Sequence, residues 1–519
     1  MRLHPYIASL LLAVGATALA FLAAIVVDAM GLGTLAVSTT AAVVVAVAYA
    51  VRPVDGLLSF GLVLLLTETV AYWTGVDVRY GDEVGVVMLV LTAVVIHRRR
   101  LVFPRPGWRE VALGTFFVAG VASSLIQAVP AHVWLFGLAL LAKSFVFLYL
   151  VISMPVSVEE VRRMSTVALG VTLVILGIGA VEFLAPDLAT GVLGVFPYDE
   201  TRGSIEVVNS WFTEPGLYGW LAAFVSLFLL ARYLVLKRAW ALILALLVGG
   251  FAVLSGRRTP VIGLVIGLGV GALHQALGRH VSWRSLAAIG GGLLLLAAVS
   301  IPAIGGFYAR TITDYLGKPA AIMEVFDENP RSRRIALLQP RVALYAGSVA
   351  IALDKVPFGA GIGRFGSHMS REEYSPVYTE YRLFRVYGLR ERRPIAVTDT
   401  FWPMVLGETG VIGFAGAIGF FALLFRDNWR AARPSGSPEA TAFTLGALMI
   451  FAEALFRSAA APAFVAPPIA FWAFGAAGLA LALRAGESEA EKPPAELGPG
   501  QLDDRGRIDP VGDADALEQ

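Results

Sequence analysis

Residues 253–260 read VLSGRRTP, two adjacent arginines between long apolar runs. A helix that crosses a membrane needs roughly 20 apolar residues, so this stretch reads as a tight turn between two spans. The side on which the turn lies then decides the rest of the map. Composition supports the membrane reading. Of 519 residues, 57% are hydrophobic and 15% charged, and the mean hydropathy is +0.72. A water-soluble chain of this length carries far more charge on its surface.

Outward from the turn, apolar runs predict helices over 5–27, 31–51, 55–73, 84–97, 110–129, 132–152, 164–185, 215–234, 239–256, 259–277, 285–306, 399–425, 438–458 and 463–484. That is about 14 spans, within a range of 12–14, the short 84–97 run and the 186–214 connection being where the count is least fixed. The expectation is an all-α polytopic membrane protein. Helices 1–11 fill residues 1–306, a large extracytoplasmic segment fills 307–398, and the last three helices fill 399–484. Arg2 and the Ala18-Leu19-Ala20 stretch imitate a secretory signal, but the apolar run continues through Val27. The first helix is therefore read as retained. No internal repeat is visible. The absence of cysteine excludes disulfides, thiolate zinc sites and cysteine-ligated iron–sulfur clusters.

Lys and Arg collect in cytoplasmic loops. With the N-terminus inside, the short inner connections hold 16 of them, Arg98, Arg99 and Arg100 included. The short outer connections hold five: Arg79, Arg202, Arg257, Arg258 and Arg457. Both termini are then cytoplasmic and the arginine turn faces out. The 485–519 tail has ten Asp/Glu against three Lys/Arg and is expected to be disordered. Segment 307–398 holds 12 Arg and 2 Lys against 9 Asp/Glu and is too long to be a simple turn. Within it, IALLQPRVALYAGSVAIALD (335–354) has helical apolar spacing, with Pro340 near its start, and reads as an amphipathic helix on the membrane surface or capping the bundle.

Arg257 and Arg258 break the charge rule that the rest of the chain obeys. They either snorkel to lipid headgroups or form an anion site, since the guanidinium fork matches phosphate oxygens. Other features fall on the same face. NSWFTEPGLYGW (209–220) puts Glu214 at the outer mouth of a helix beside Trp211, Phe212 and Tyr218. Arg341 lies one helical turn before Tyr345, and Arg364 follows in VPFGAGIGRFG (356–366). Asp399 opens the next span, with Glu408 inside it. Cations for a leaving group, a base for a hydroxyl and rings for sugar faces are what sugar-phosphate transfer requires. Plainer readings stand beside these. Glu214-Pro215 can simply open a helix, Asp399 can serve as its N-cap, Arg341 can pair with an acid of its own loop, and Glu408 can be a buried structural partner. Lys143, mid-span, reads as a bundle tie to Glu68, Glu182 or Glu453.

The order LSGRRTP, then RVALY…VPFGAGIGRFG, then TDTFWPMVLGETGVIG resembles the O-antigen ligase and O-antigen/exopolysaccharide polymerase superfamily over residues 200–425. Arg258 matches its turn arginine. Arg341 and Tyr345 match its loop helix. Pro357, Gly359, Gly361, Gly363 and Phe365 match its glycine segment, and Glu408 and Gly410 its last motif. The resemblance implies a C-type glycosyltransferase-like fold and metal-independent transfer of a glycan from undecaprenyl pyrophosphate, with no cofactor. Carried over, Arg258 and Arg341, with Arg257, hold the pyrophosphate. Where the ligases place a histidine base, this chain has Asp399, and Thr400 replaces the following asparagine. That departure favours a polymerase over a ligase. Glu214 and His368 are alternative bases, and Trp211, Tyr345 and Arg364 are candidate sugar or phosphate contacts. The expected partners are the lipid-linked donor, a glycan or lipid-linked acceptor and the lipid of the cytoplasmic membrane, not nucleic acid. A flippase or transporter instead predicts internal repeats and broken helices, of which the sequence shows neither.

Overall fold

The computed structural model describes residues 4–76, 80–196, 201–202, 205–278, 291 and 339–490. It is a helical bundle. The helices are α1 (Pro5–Ala29), α2 (Gly33–Val51), α3 (Pro53–Thr74), α4 (Gly81–Ile96), α5 (Trp108–Ile126), α6 (Ala131–Ile152) and α7 (Val158–Leu184). The short α8 (Pro186–Gly191) and a two-strand ribbon, β1 (Thr201–Arg202) with β2 (Ile205–Glu206), lead to α9 (Pro215–Leu236), α10 (Ala239–Leu254) and α11 (Arg258–Leu277). After the undescribed stretch come α12 (Pro340–Asp354), the short α13 (His368–Glu372) and α14 (Val377–Glu380), then α15 (Trp402–Ala431), α16 (Pro438–Arg457) and α17 (Ile469–Ala490). Among the described residues, 11 helices are long and apolar enough to cross a membrane, and α10 is a shorter apolar helix. Thirteen of the expected spans thus fall on helices; the span at 285–306 lies outside the described residues.

Three boundaries move for physical reasons. Ser157 and Glu160 form a reciprocal capping box, so α7 begins at Val158, not at 164. Pro462, Pro467 and Pro468 delay α17 to Ile469. The acidic tail does not start at 485 as a disordered segment, because α17 runs on to Ala490. Arg484 bridges Glu487 at 2.6 Å, one turn on, and its Nε donates to the Ala431 carbonyl at 2.6 Å.

The element that positions everything else is a break in α15. Gly410 has φ 66°, a conformation open to glycine, and the helix is interrupted there. The carbonyls of Gly407 and Glu408 turn away from the helix ladder. They accept instead from the N–H groups of Ala360 and Gly361, at 2.8 and 3.0 Å. The glycine segment therefore lies against α15 as an added strand of backbone. Its glycines are required by space: a Cβ on Gly359 would stand 2.3 Å from the Gly407 oxygen, and one on Gly361 2.5 Å from Val133's neighbour Val129. The Ser124 hydroxyl accepts from Ile362 N–H at 2.9 Å, and the Ser123 hydroxyl donates to the Glu408 carbonyl at 2.9 Å, tying the insert to α5. Backbone at membrane depth is tolerated only when protein satisfies it, and here it does. The expectation of unbroken spans is corrected at this point.

Gly359→Ala is expected to lower the melting temperature of the purified protein by several degrees, as overpacking costs about 1–3 kcal/mol. Gly114→Ala, where a Cβ meets nothing within 4 Å, is the control and should leave it unchanged. Equal melting of the two variants would rule out the fitted insert.

Candidate active site

The glycine insert fixes where the segment before it goes. α12 has Pro340 in its first turn and packs against α15. That places Arg341 beside Asp399, with Arg341 Nε 3.5 Å from Asp399 Oδ2. The two side chains are 42% and 35% exposed, so the pair is open to water. The plain alternative for Asp399 fails: the N-cap of α15 is Phe401, and no side chain caps it. Phe401 N–H donates to the Ser458 carbonyl at 3.3 Å, and Trp402 Nε1 to the Ser458 hydroxyl at 2.8 Å. Tyr345, one turn after Arg341, donates to the Ala459 carbonyl at 2.8 Å. The three aromatic residues thus lock the end of α16 to the segment that carries the ion pair.

Glu214 reaches the pair from another direction. It is the N-cap of α9, is exposed, and makes no side-chain cap bond. The connection that delivers it is anchored at each step. The Glu182 carboxylate accepts from Asn209 N–H at 3.3 Å and Ser210 N–H at 2.6 Å, the Thr69 hydroxyl donates to the Trp211 carbonyl, and the Thr213 hydroxyl donates to Glu68. Partial burial raises the Asp399 carboxyl above its ordinary value, Arg341 pulls it back, and the negative charge of Glu214 pushes it up again. Burial also raises the Tyr345 phenol, which stays protonated and donating at neutral pH.

The arginine turn lies at this same end of the bundle. Ser255 and Pro260 pack on Gly219, in the second turn of α9, and Val208 N–H donates to the Leu254 carbonyl at 3.1 Å. Arg257 is the N-cap of α11, Arg258 its first residue, and both are half-buried. A second route joins the turn to Asp399. Gly263 of α11 lies against the Glu453 carboxylate, and Glu453 bridges Arg457 at 2.5 Å, next to Ser458. This buried pair escaped the sequence reading, which assigned Arg457 to a connection and offered Glu453 to Lys143. Its i,i+4 spacing inside an apolar helix was the available signal.

Other expected roles are corrected. Lys143 pairs with Asp82 and with Glu83 (2.5 Å), at the start of α4, and not with Glu68, Glu182 or Glu453. Glu68 and Glu182 serve the 209–213 connection instead. Trp211 is committed to packing: its indole donates to the Leu193 carbonyl at 2.8 Å and meets Trp73 edge-on. Tyr218 is fully buried, its hydroxyl on the Leu176 carbonyl, so its ring faces no ligand, while Trp211 is half-buried. Glu408 is the structural partner that the plain reading offered. Buried, it accepts from Phe365 N–H at 3.0 Å and the Ser367 hydroxyl at 2.6 Å, and so clasps the glycine segment. Arg364 belongs to that segment, and His368 opens α13, 3.9 Å from Glu372. Among the described residues, no three His, Cys, Asp or Glu side chains gather as a metal site. Comparison with protein-family models and with curated proteins finds no match.

The raised Asp399 carboxyl predicts a pH effect with a definite sign. Above the ordinary aspartate value the folded state holds more proton than the unfolded one, so stability falls as pH rises through that window. Asp399→Asn should remove this component of the melting temperature's pH dependence, while Arg341→Ala should extend it to higher pH. A profile in Asp399→Asn that matches wild type would refute the assignment.

Proposed function

We propose that this chain is a membrane-embedded glycosyltransferase that extends a surface polysaccharide on the outer face of the cytoplasmic membrane. The reading includes about 14 spans, a C-type fold and membership of the O-antigen ligase and polymerase superfamily. The observation that carries it is the water-open Arg341–Asp399 pair under the influence of Glu214, at the end of the bundle that also bears Arg257 and Arg258.

The chemistry assigns one task to each group. The acceptor sugar hydroxyl attacks the anomeric carbon of the donor glycan. The bond from that carbon to the pyrophosphate oxygen breaks, and its electron pair leaves with the pyrophosphate. Asp399 takes the hydroxyl proton; a carboxylate above its ordinary pKa is a better base than a free aspartate. Arg341 and the arginine turn stabilise the departing diphosphate, for which guanidinium geometry is suited. Glu214 keeps Asp399 basic and is itself placed to bind a sugar hydroxyl.

A transport reading has one feature in its favour, the broken helix α15. The glycine segment's N–H groups occupy two carbonyls at the break, which fills it with protein backbone in place of a substrate. The glycosyltransferase reading is therefore preferred.

In a deletion strain complemented with variants, Arg341→Ala and Asp399→Asn should each cut polymer synthesis by about 10²–10³. Single lipid-linked units should accumulate. Accumulation of long lipid-linked chains would assign a ligase, and unchanged polymer would overturn the site.

A further inference from the structure

A cavity of about 140 Å³ runs inside the bundle between α3, α6, α7, α9, α16 and α17. Its wall follows the helix axes. Ser165, Leu169 and Thr172 succeed one another along α7, and Leu221, Val225 and Phe228 along α9, so the slot is about 10 Å long. The wall is almost wholly apolar, and its few donors are already used. Ser165 and Thr172 donate to carbonyls of their own helix at 2.7 and 2.8 Å, and the Trp472 indole to the Gly61 carbonyl at 3.2 Å. A dry apolar space of this size takes up hydrocarbon; one of similar volume holds a benzene ring.

The slot meets a smaller polar depression, sharing Ser165, Phe228 and Phe443 with it. That depression is lined by Arg162, Arg232 and Glu439 and lies at the end of the bundle opposite the Arg341–Asp399 pair. Glu439 is bridged by both Arg232 (3.0 Å) and Arg238 (3.5 Å). Arg162, exposed, pairs with the exposed Glu159 at 3.5 Å. Three guanidinium groups thus face two carboxylates. Arg232 is 11% exposed, and its Nε donor has no acceptor among the described residues.

We propose that this is a binding site for one anionic phospholipid, its phosphate on Arg162, Arg232 and Arg238 and one acyl chain in the slot. The excess positive charge at the mouth selects an anionic headgroup. The slot's length along the helices suits an extended chain and not a compact ligand. The site is independent of the glycan reading.

The test is native mass spectrometry of the purified full chain in detergent, titrated with dioleoyl phosphatidylglycerol or dioleoyl phosphatidylcholine. Wild type should hold one phosphatidylglycerol at least tenfold more tightly than phosphatidylcholine. Arg162→Glu with Arg238→Glu should bring the two to parity, Ala168→Phe in the slot wall should weaken both tenfold, and Arg341→Ala should change neither. Parity in wild type, or an unaltered preference in the double charge variant, would overturn the proposal. So would displacement of phosphatidylglycerol by an equimolar polyprenyl phosphate, which would mark the slot as a substrate site. The double charge variant lies at the surface, so the test survives if the slot variant fails to fold.

Discussion

The architecture of this end of the molecule depends on one exchange of hydrogen bonds. Gly410 breaks α15, and two carbonyls freed by the break accept from Ala360 and Gly361. Glu408, two residues before the break, reaches back to clasp Phe365 and Ser367. Buried polar groups left unpaired are costly, so break, insert and carboxylate stand or fall together. With the insert seated, α12 lies along α15 and Arg341 meets Asp399. The conformation of one glycine thus determines which two charged side chains become neighbours.

Charge is handled differently at the two ends of the bundle. At the end rich in Lys and Arg, arginines are held by acids: Arg52 and Arg163 by Asp55, Arg109 by Glu110 and Asp427, and Arg232 and Arg238 by Glu439. At the other end the Arg341–Asp399 pair stands open to water, and a third charge, Glu214, acts on it. Groups that stabilise a scaffold are paired off. An accessible, electrostatically perturbed carboxylate in this setting is what a candidate functional site looks like.

Much of the fold was legible because hydrophobic run length is a direct read-out of membrane thickness. Thirteen segments were found as helices, even the short α4. Boundaries were less legible wherever side chains decided them, as at the Ser157–Glu160 box and the Arg484–Glu487 pair. Of the site, Arg341, Asp399 and Glu214 were legible as charged residues at predicted helix ends. The break at Gly410 was not: a glycine within an apolar run looks the same whether it bends the helix or merely packs. Nor were the partners of Lys143, since Asp82 and Glu83 lie at the start of the weakest predicted span. The packing of Trp211 was not legible either, because the sequence shows a ring but not the neighbouring Trp73 that it meets.

The central claim is that the arginine turn and the Arg341–Asp399 pair share one outward-facing end. The chain has no cysteine, so single-cysteine variants can be labelled without background. Thr259→Cys, in the turn, and Thr398→Cys, beside Asp399, should react with a membrane-impermeant maleimide in intact cells. Glu159→Cys, at the opposite end, should react only after permeabilisation. Labelling of Thr259→Cys and Thr398→Cys from opposite sides, or of both only from the cytoplasm, would contradict the account.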